Sequence, residues 1–374
     1  MSELYEETGK VPYGEDSRQY RRTVFLRSSD WSNHRSPDRL FSNLKNLYRS
    51  GIARQLQLGV KYVSSIAFIT ILWNDIILNP LLCTSIPLLK YLPKLGLPSM
   101  PFTLSSSALG LLLVFRTNAS YQRWLEGQNN IAKIVSELKN ILRMTSTWLP
   151  PQTPLEFEFE SNKGEDEGEL IIENIGLKCW TVLRALQCHL RNTSEEEKSF
   201  SIHVRNTLGK LDDDDDDNDE GSTVNKLLKS KDRPFWAIND LSSLVQTLAN
   251  HPYNIDGGRL REMDKSISSI TSSVELCTKK IRHPVPLVYT RHTARFLSLW
   301  LLLLPLALYD SFDSTSILSR LLLIPTSSLI SLFFFGIDEL AIQLEEPFGI
   351  LPLEYNCANI KVISKQALSW YKKR

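Results

Sequence analysis

Apolar residues collect in four stretches nearly free of charge, and the polar chain between them carries helical rather than strand spacing. Residues 58 to 78 (LGVKYVSSIAFITILWNDIIL) are about as long as a helix that crosses a bilayer, with Lys61 and Asp75 near the ends, where side chains reach the headgroups. No charge occurs between Lys94 and Arg116, but Pro98 and Pro101 forbid one straight helix there, so the second span is expected to be broken. The third stretch, Phe296 to Tyr309, has the length of a buried core helix unless Arg291, Arg295 and Asp310 sit at the two headgroup layers. The fourth, Leu321 to Ile337, follows after the short link 310 to 320, which makes the two antiparallel neighbours. Two adjacent core helices of a water-soluble domain would read the same way; four membrane spans is the expectation, in an all-α chain.

The polar region repeats the helical signal. Leu260, Met263, Ile267, Ile270, Val274, Cys277 and Ile281 alternate at steps of three and four, the apolar seam of a helix packed along its length. A shorter stripe (Ile131, Ile134, Val135, Leu138, Ile141, Leu142) follows the second span, which predicts a long helix continuing out of the membrane. The organisation expected is an N-terminal extramembrane segment (1–50), spans one and two (51–125), a helical extramembrane bundle (126–290), spans three and four (291–340) and a C-terminal extramembrane segment (341–374). Basic residues flanking the spans, among them Arg123, Lys133, Lys279 and Arg291, place the bundle and both termini on the untranslocated side.

Charge adds one correction to this picture. The formal net charge is +1, yet two acidic stretches, 155–170 and 212–220, hold 7 and 8 acids and a single lysine; without them 42 basic residues face 27 acidic ones. Six consecutive aspartates, Asp212 to Asp217, repel one another and offer no apolar surface, so both stretches read as solvated loops, and they lack the spaced ligands and turn glycine of a calcium-binding loop. The five cysteines (Cys83, Cys179, Cys188, Cys277, Cys357) are scattered, which points to buried thiols rather than a zinc site or disulfide framework. The first 40 residues carry Glu3, Glu6, Glu7, Glu15 and Asp16 and resemble neither a secretory signal nor an acid-poor transit peptide. No phosphate loop, nucleophile elbow or metal-protease motif is present, so no catalytic residue, cofactor or metal is expected.

The informative stretch is the junction of span two with FRTNASYQRW, residues 115 to 124. On a helix Ser107, Leu111 and Phe115 fall at i, i+4 and i+8, along one face, which either packs against lipid or a neighbouring helix or lines a path. Arg116 is turned by about 100° from Phe115 and suits an ion-pair anchor. Asn118 and Tyr121 carry hydrogen-bonding groups further along the helix.

The run PFTLSSSALGLLLVFRTNASYQRW (101–124), with VPLVYTRHTARF (285–296) and IQLEEPFGILPL (342–353), resembles the bestrophin family of anion channels, in particular its plant and algal branch of thylakoid voltage-dependent chloride channels. The resemblance runs from about residue 25 to 365 apart from the acidic stretches. It implies a homopentamer of helical subunits around one axial pore, with Ser107, Leu111 and Phe115 forming a hydrophobic neck; serine stands where several relatives have a bulky apolar residue. Arg116, Asn118 and Tyr121 would then serve the vestibule or subunit contacts. Glu345, Glu346, Pro347, Phe348 and Gly349 match a signature at the membrane boundary; the apolar residues that follow offer no oxygens for a calcium clasp. The implied partners are chloride and other small anions (bicarbonate or nitrate), membrane lipid and further copies of the chain, with no nucleic acid. The implied location is a chloroplast thylakoid membrane, with the plasma membrane as alternative. The competing function is a non-conducting membrane scaffold whose bundle binds other proteins.

Overall fold

The computed structural model describes residues 24–38, 41, 45, 51–78, 92–150, 167–209, 222–250, 253–312 and 317–373. The acidic stretch 212–220 and residues 155–166 of the other lie outside the described residues, as do Cys83, the rest of residues 79–91 and, within the link 310–320, residues 313–316. Among the described residues every regular element is helical: α1 (Ser28–Arg35), α2 (Gly51–Ile71), α3 (Met100–Trp148), α4 (Glu167–Arg191), α5 (Ser194–Leu208), α6 (Thr223–Lys229), α7 (Arg233–Thr247), α8 (Gly257–Arg282), α9 (Leu287–Leu308), α10 (Ile317–Leu321), α11 (Leu323–Glu345) and α12 (Leu353–Tyr371). They form two compact units. One comprises the described residues up to Trp124 with Pro284–Pro347; the other comprises Leu125–His283 with the residues from Phe348 onward.

Among the described residues four helices are long and apolar enough to cross a membrane; α2, α9 and α11 lie in the first unit, as does α3 up to Trp124. Leu109 and Leu113 of α3 pack with Val63 of α2 and Leu297, Leu301 and Leu304 of α9. Helix α11 runs antiparallel to α2: the Ser64 and Ser328 hydroxyls are 2.7 Å apart, and Gln343 reaches Gln55 nearer the other end. A side chain at Gly59 would meet the Phe335 ring at 3.1 Å, so the ring would have to give way by a few tenths of an ångström. The third stretch belongs to a 22-residue helix beginning at Leu287, which removes the length objection to its crossing a bilayer. In the second stretch the proline break falls at the start of the span, not inside it. Residues 93–98 are irregular, and Pro101 occupies the first turn of α3, where a missing N–H costs nothing. Helix α3 then continues for 49 residues. The irregular segment is tied to the π-helical turn Leu72–Ile77 that ends α2: Asn74 exchanges two hydrogen bonds with Leu95, and the Trp73 indole donates to the Pro93 carbonyl.

The second unit is built around α4, whose residues are mostly buried. Helix α12 lies antiparallel against it at close range: a Cβ on Gly168 would strike the Tyr371 hydroxyl, and one on Gly176 would strike Ser364. The end of the first acidic stretch is not loop. Glu167 and Glu169 open α4, where two carboxylates complement the positive end of the helix dipole. Asn192, at φ 47°, makes the tight turn from α4 into α5. The α8 seam is buried from Met263 to Cys277, while Leu260 is half-buried and Ile281 exposed. Three contacts set α8 antiparallel to the second half of α3: Lys280 pairs with Glu126, Ser269 donates to Glu137, and Arg259 lies over the Trp148 ring. The stripe from Ile131 to Leu142 is buried throughout.

Candidate functional site

The membrane half of α3 has two faces. At about 100° per residue, Leu109, Leu113, Arg116 and Ser120 fall within a sector of about 60°. All four are buried, none more than 4% exposed. Directly opposite lie Leu104, Ser107, Leu111, Phe115 and Asn118, all exposed, with Leu111 and Phe115 at 56%. Of the residues singled out in the sequence, the fold therefore brings Ser107, Leu111, Phe115 and Asn118 onto one bare face. Tyr121 sits at its edge, stacked on Trp124 with ring centroids 5.8 Å apart.

Arg116 turns the other way from that face: it is buried and pairs with Asp338 of α11 within the same chain, the contact of an ion-pair anchor. A guanidinium taken out of water requires such a carboxylate. Two more polar contacts reach the rear of α3 from α9: the Trp300 indole donates to the Ser105 hydroxyl at 3.0 Å, and the Tyr289 hydroxyl donates to the Leu112 carbonyl at 3.3 Å. Sequence reasoning missed Asp338, Tyr289 and Trp300 as partners. The available signal for Asp338 was that it directly follows the fourth charge-free run, as Arg116 follows the second.

The boundary motif is a junction. The Glu345 carboxylate accepts the Val285 N–H at 3.1 Å, and its carbonyl accepts from Arg123 Nε at 2.7 Å, so the end of α11 is joined to α3 and to the chain entering α9. Pro347–Gly349 then forms a single 3₁₀ turn, with Phe348 buried.

Charged groups of the second unit form a structural network. Glu196 joins Arg184 and Arg191, and Arg191 also pairs with Glu354. Arg233 makes two 2.7 Å bonds to Glu197 and thereby holds that carboxyl below its ordinary range. Burial, with Glu197 beside it, pushes the Cys188 thiol up to about 12; burial alone raises Cys179, and burial against the opposing Lys280 takes Cys277 to about 12. Thiols so protonated are poor nucleophiles. Among the described residues no three His, Cys, Asp or Glu side chains gather as a metal site.

Bilayer-length helices, one of them exposing a largely apolar face opposite an internal ion pair, define an integral membrane protein with a second helical unit. The family model for "Bacterial/Fungal Bestrophin protein" matches residues 30–366, and the chain belongs to the bestrophin family. It is 27% identical over 363 residues to the chloroplastic voltage-dependent chloride channel 2 of Arabidopsis thaliana, covering 96% of this chain and 77% of that one. A voltage-dependent anion channel-forming protein of Synechocystis is 23% identical over 272 residues, 72% of this chain and 77% of the relative. In fold, the chain is similar to the crystal structure of a bacterial bestrophin homolog from Klebsiella pneumoniae. The TM-score is 0.62 at 20% identity, over 83% of this chain and 98% of the other. The chloroplast membrane expected from the sequence agrees with the plant relative, which is chloroplastic by name.

Proposed function

We propose that the chain is a passive anion channel, conducting chloride first and bicarbonate or nitrate as well, through a hydrophobic neck on the axis of a homopentamer. The observation that carries this reading is the bare face of α3: Ser107, Leu111 and Phe115 line up opposite the packed face. The names of the plant and cyanobacterial relatives support the anion as cargo. Five such faces around an axis give stacked rings of Leu111 and Phe115. This apolar throat gates by wetting and passes weakly hydrated anions more readily than strongly hydrated ones. Phenylalanine edges carry partial positive charge, and the N-terminus of α3 presents the positive end of its dipole. Anions are thereby favoured over cations without a fixed charge in the throat. The Ser107 ring is the wetter end.

The test is the purified protein reconstituted in planar bilayers under asymmetric salt. An anion-selective current whose reversal potential moves on Phe115→Ala is the expected result. A bilayer that stays silent across voltage and calcium, with intact protein inserted, contradicts the reading and favours a non-conducting scaffold.

A further inference from the structure

The two faces of the membrane half of α3 are both largely apolar, so burial alone does not decide which one turns toward the neighbouring helices and which stays bare. Leu109 and Leu113 on one side match Leu104 and Leu111 on the other. Directional contacts are needed to fix the rotation, and three are present. Ser105, Leu112 and Arg116 are spaced i, i+7 and i+11, a single line along the helix about 40° wide. Each is engaged from behind: Ser105 by Trp300, the Leu112 carbonyl by Tyr289, and Arg116 by Asp338. The line spans the same turns that carry Ser107, Leu111 and Phe115. Its innermost member is an ion pair one residue past Phe115, with side chains 5% and 14% exposed.

We infer that Asp338, through Arg116, and Tyr289, through the Leu112 carbonyl, are positioning residues that set the rotation of α3, and so determine how the Leu111 and Phe115 rings present themselves to a permeating anion. This rests on the reading of that face as the neck. The pair sits off the anion's path and carries no net charge, so it acts on selectivity through geometry. Its loss changes which anion the throat prefers, beyond how many channels assemble. Removing Asp338 leaves a buried guanidinium whose Nε has no partner among the described residues, and the helix turns to bring that charge toward water.

The experiment measures reversal potentials in planar bilayers with chloride on one side and thiocyanate on the other. Wild-type protein is compared with Asp338→Asn, Tyr289→Phe, the charge-exchanged double variant Arg116→Asp with Asp338→Arg, and Phe115→Ala. The expected result is a shifted thiocyanate-to-chloride permeability ratio in Asp338→Asn, a smaller shift in Tyr289→Phe, and return toward the wild-type ratio in the exchanged pair. Tyr289→Phe removes one hydroxyl, so it keeps the question answerable if Asp338→Asn does not fold. Wild-type ratios in conducting Asp338→Asn and Tyr289→Phe channels, with a shifted ratio in Phe115→Ala, overturn the positioning role while the neck stands. Wild-type ratios in all of them, Phe115→Ala included, overturn both.

Discussion

Helix α3 obeys two different rules along its length. From Leu125 onward its apolar residues are mostly buried and its exposed ones mostly polar, as in Lys133, Ser136 and Arg143 against Ile134, Leu138 and Ile141. That is the pattern of a helix half in water. Before Trp124 the division is lost: Leu104, Leu111, Val114 and Phe115 are exposed beside Ser107 and Asn118, and Arg116 and Ser120 are buried beside Leu109 and Leu113. Apolar groups facing outward and polar groups facing inward are what a non-aqueous surrounding permits. One continuous helix thus has a half whose stability comes from apolar burial and a half whose outer face is left bare within the chain.

The largest effect expected from this contrast comes from Leu138→Ala, at a fully buried position of the aqueous half. It should cost about 2–5 kcal/mol in stability. Denaturation of the solubilised protein measures the loss, and anion permeability ratios in the surviving channels should stay unchanged. Leu111→Ala should do the reverse: near-wild-type denaturation, since the side chain is 56% exposed, with a widened throat and an altered permeability ratio. If both variants lose stability equally, the distinction between the halves fails.

A weaker effect follows from pH. His203 has its pKa held below the ordinary value of 6.5 by burial first, then by Arg184 and Lys361, with Glu196 opposing. The unfolded chain therefore takes up the proton before the folded one does. The stability contribution is complete above about pH 6.5 and declines as pH falls through the lower folded value. The slope should be shallow, because His203 reaches solvent, and His203→Gln should abolish it in denaturation curves recorded between pH 7 and pH 5.

Much of this architecture was legible in the residue pattern, because helices crossing a bilayer or packing along a seam must repeat apolar residues at helical spacing. The α8 seam and the Ile131–Leu142 stripe are examples, as is the continuity of α3 out of the second span. Composition misled where charge has two meanings. Glu167 and Glu169 read as the tail of a loop, yet carboxylates also favour the start of a helix. Arg291 and Arg295 shortened the apparent third span, although both lie within α9. The site was half legible: spacing put Ser107, Leu111 and Phe115 on one face, but no periodicity says which of two apolar faces is left bare. That choice is made by Arg116 and Asp338, 222 residues apart, and by Tyr289, whose partner is a backbone carbonyl that no sequence pattern announces.

In the proposed channel the bare face of α3, and not the packed one, meets the permeating anion. This is tested most directly by introducing Leu111→Cys and Leu113→Cys separately and adding a water-soluble methanethiosulfonate to conducting bilayers. The described native cysteines are buried, so unmodified protein serves as the control. Current through Leu111→Cys is expected to fall on modification while Leu113→Cys and the control are unaffected. A block at Leu113→Cys, or undiminished current through Leu111→Cys after its modification is verified by mass, would contradict it.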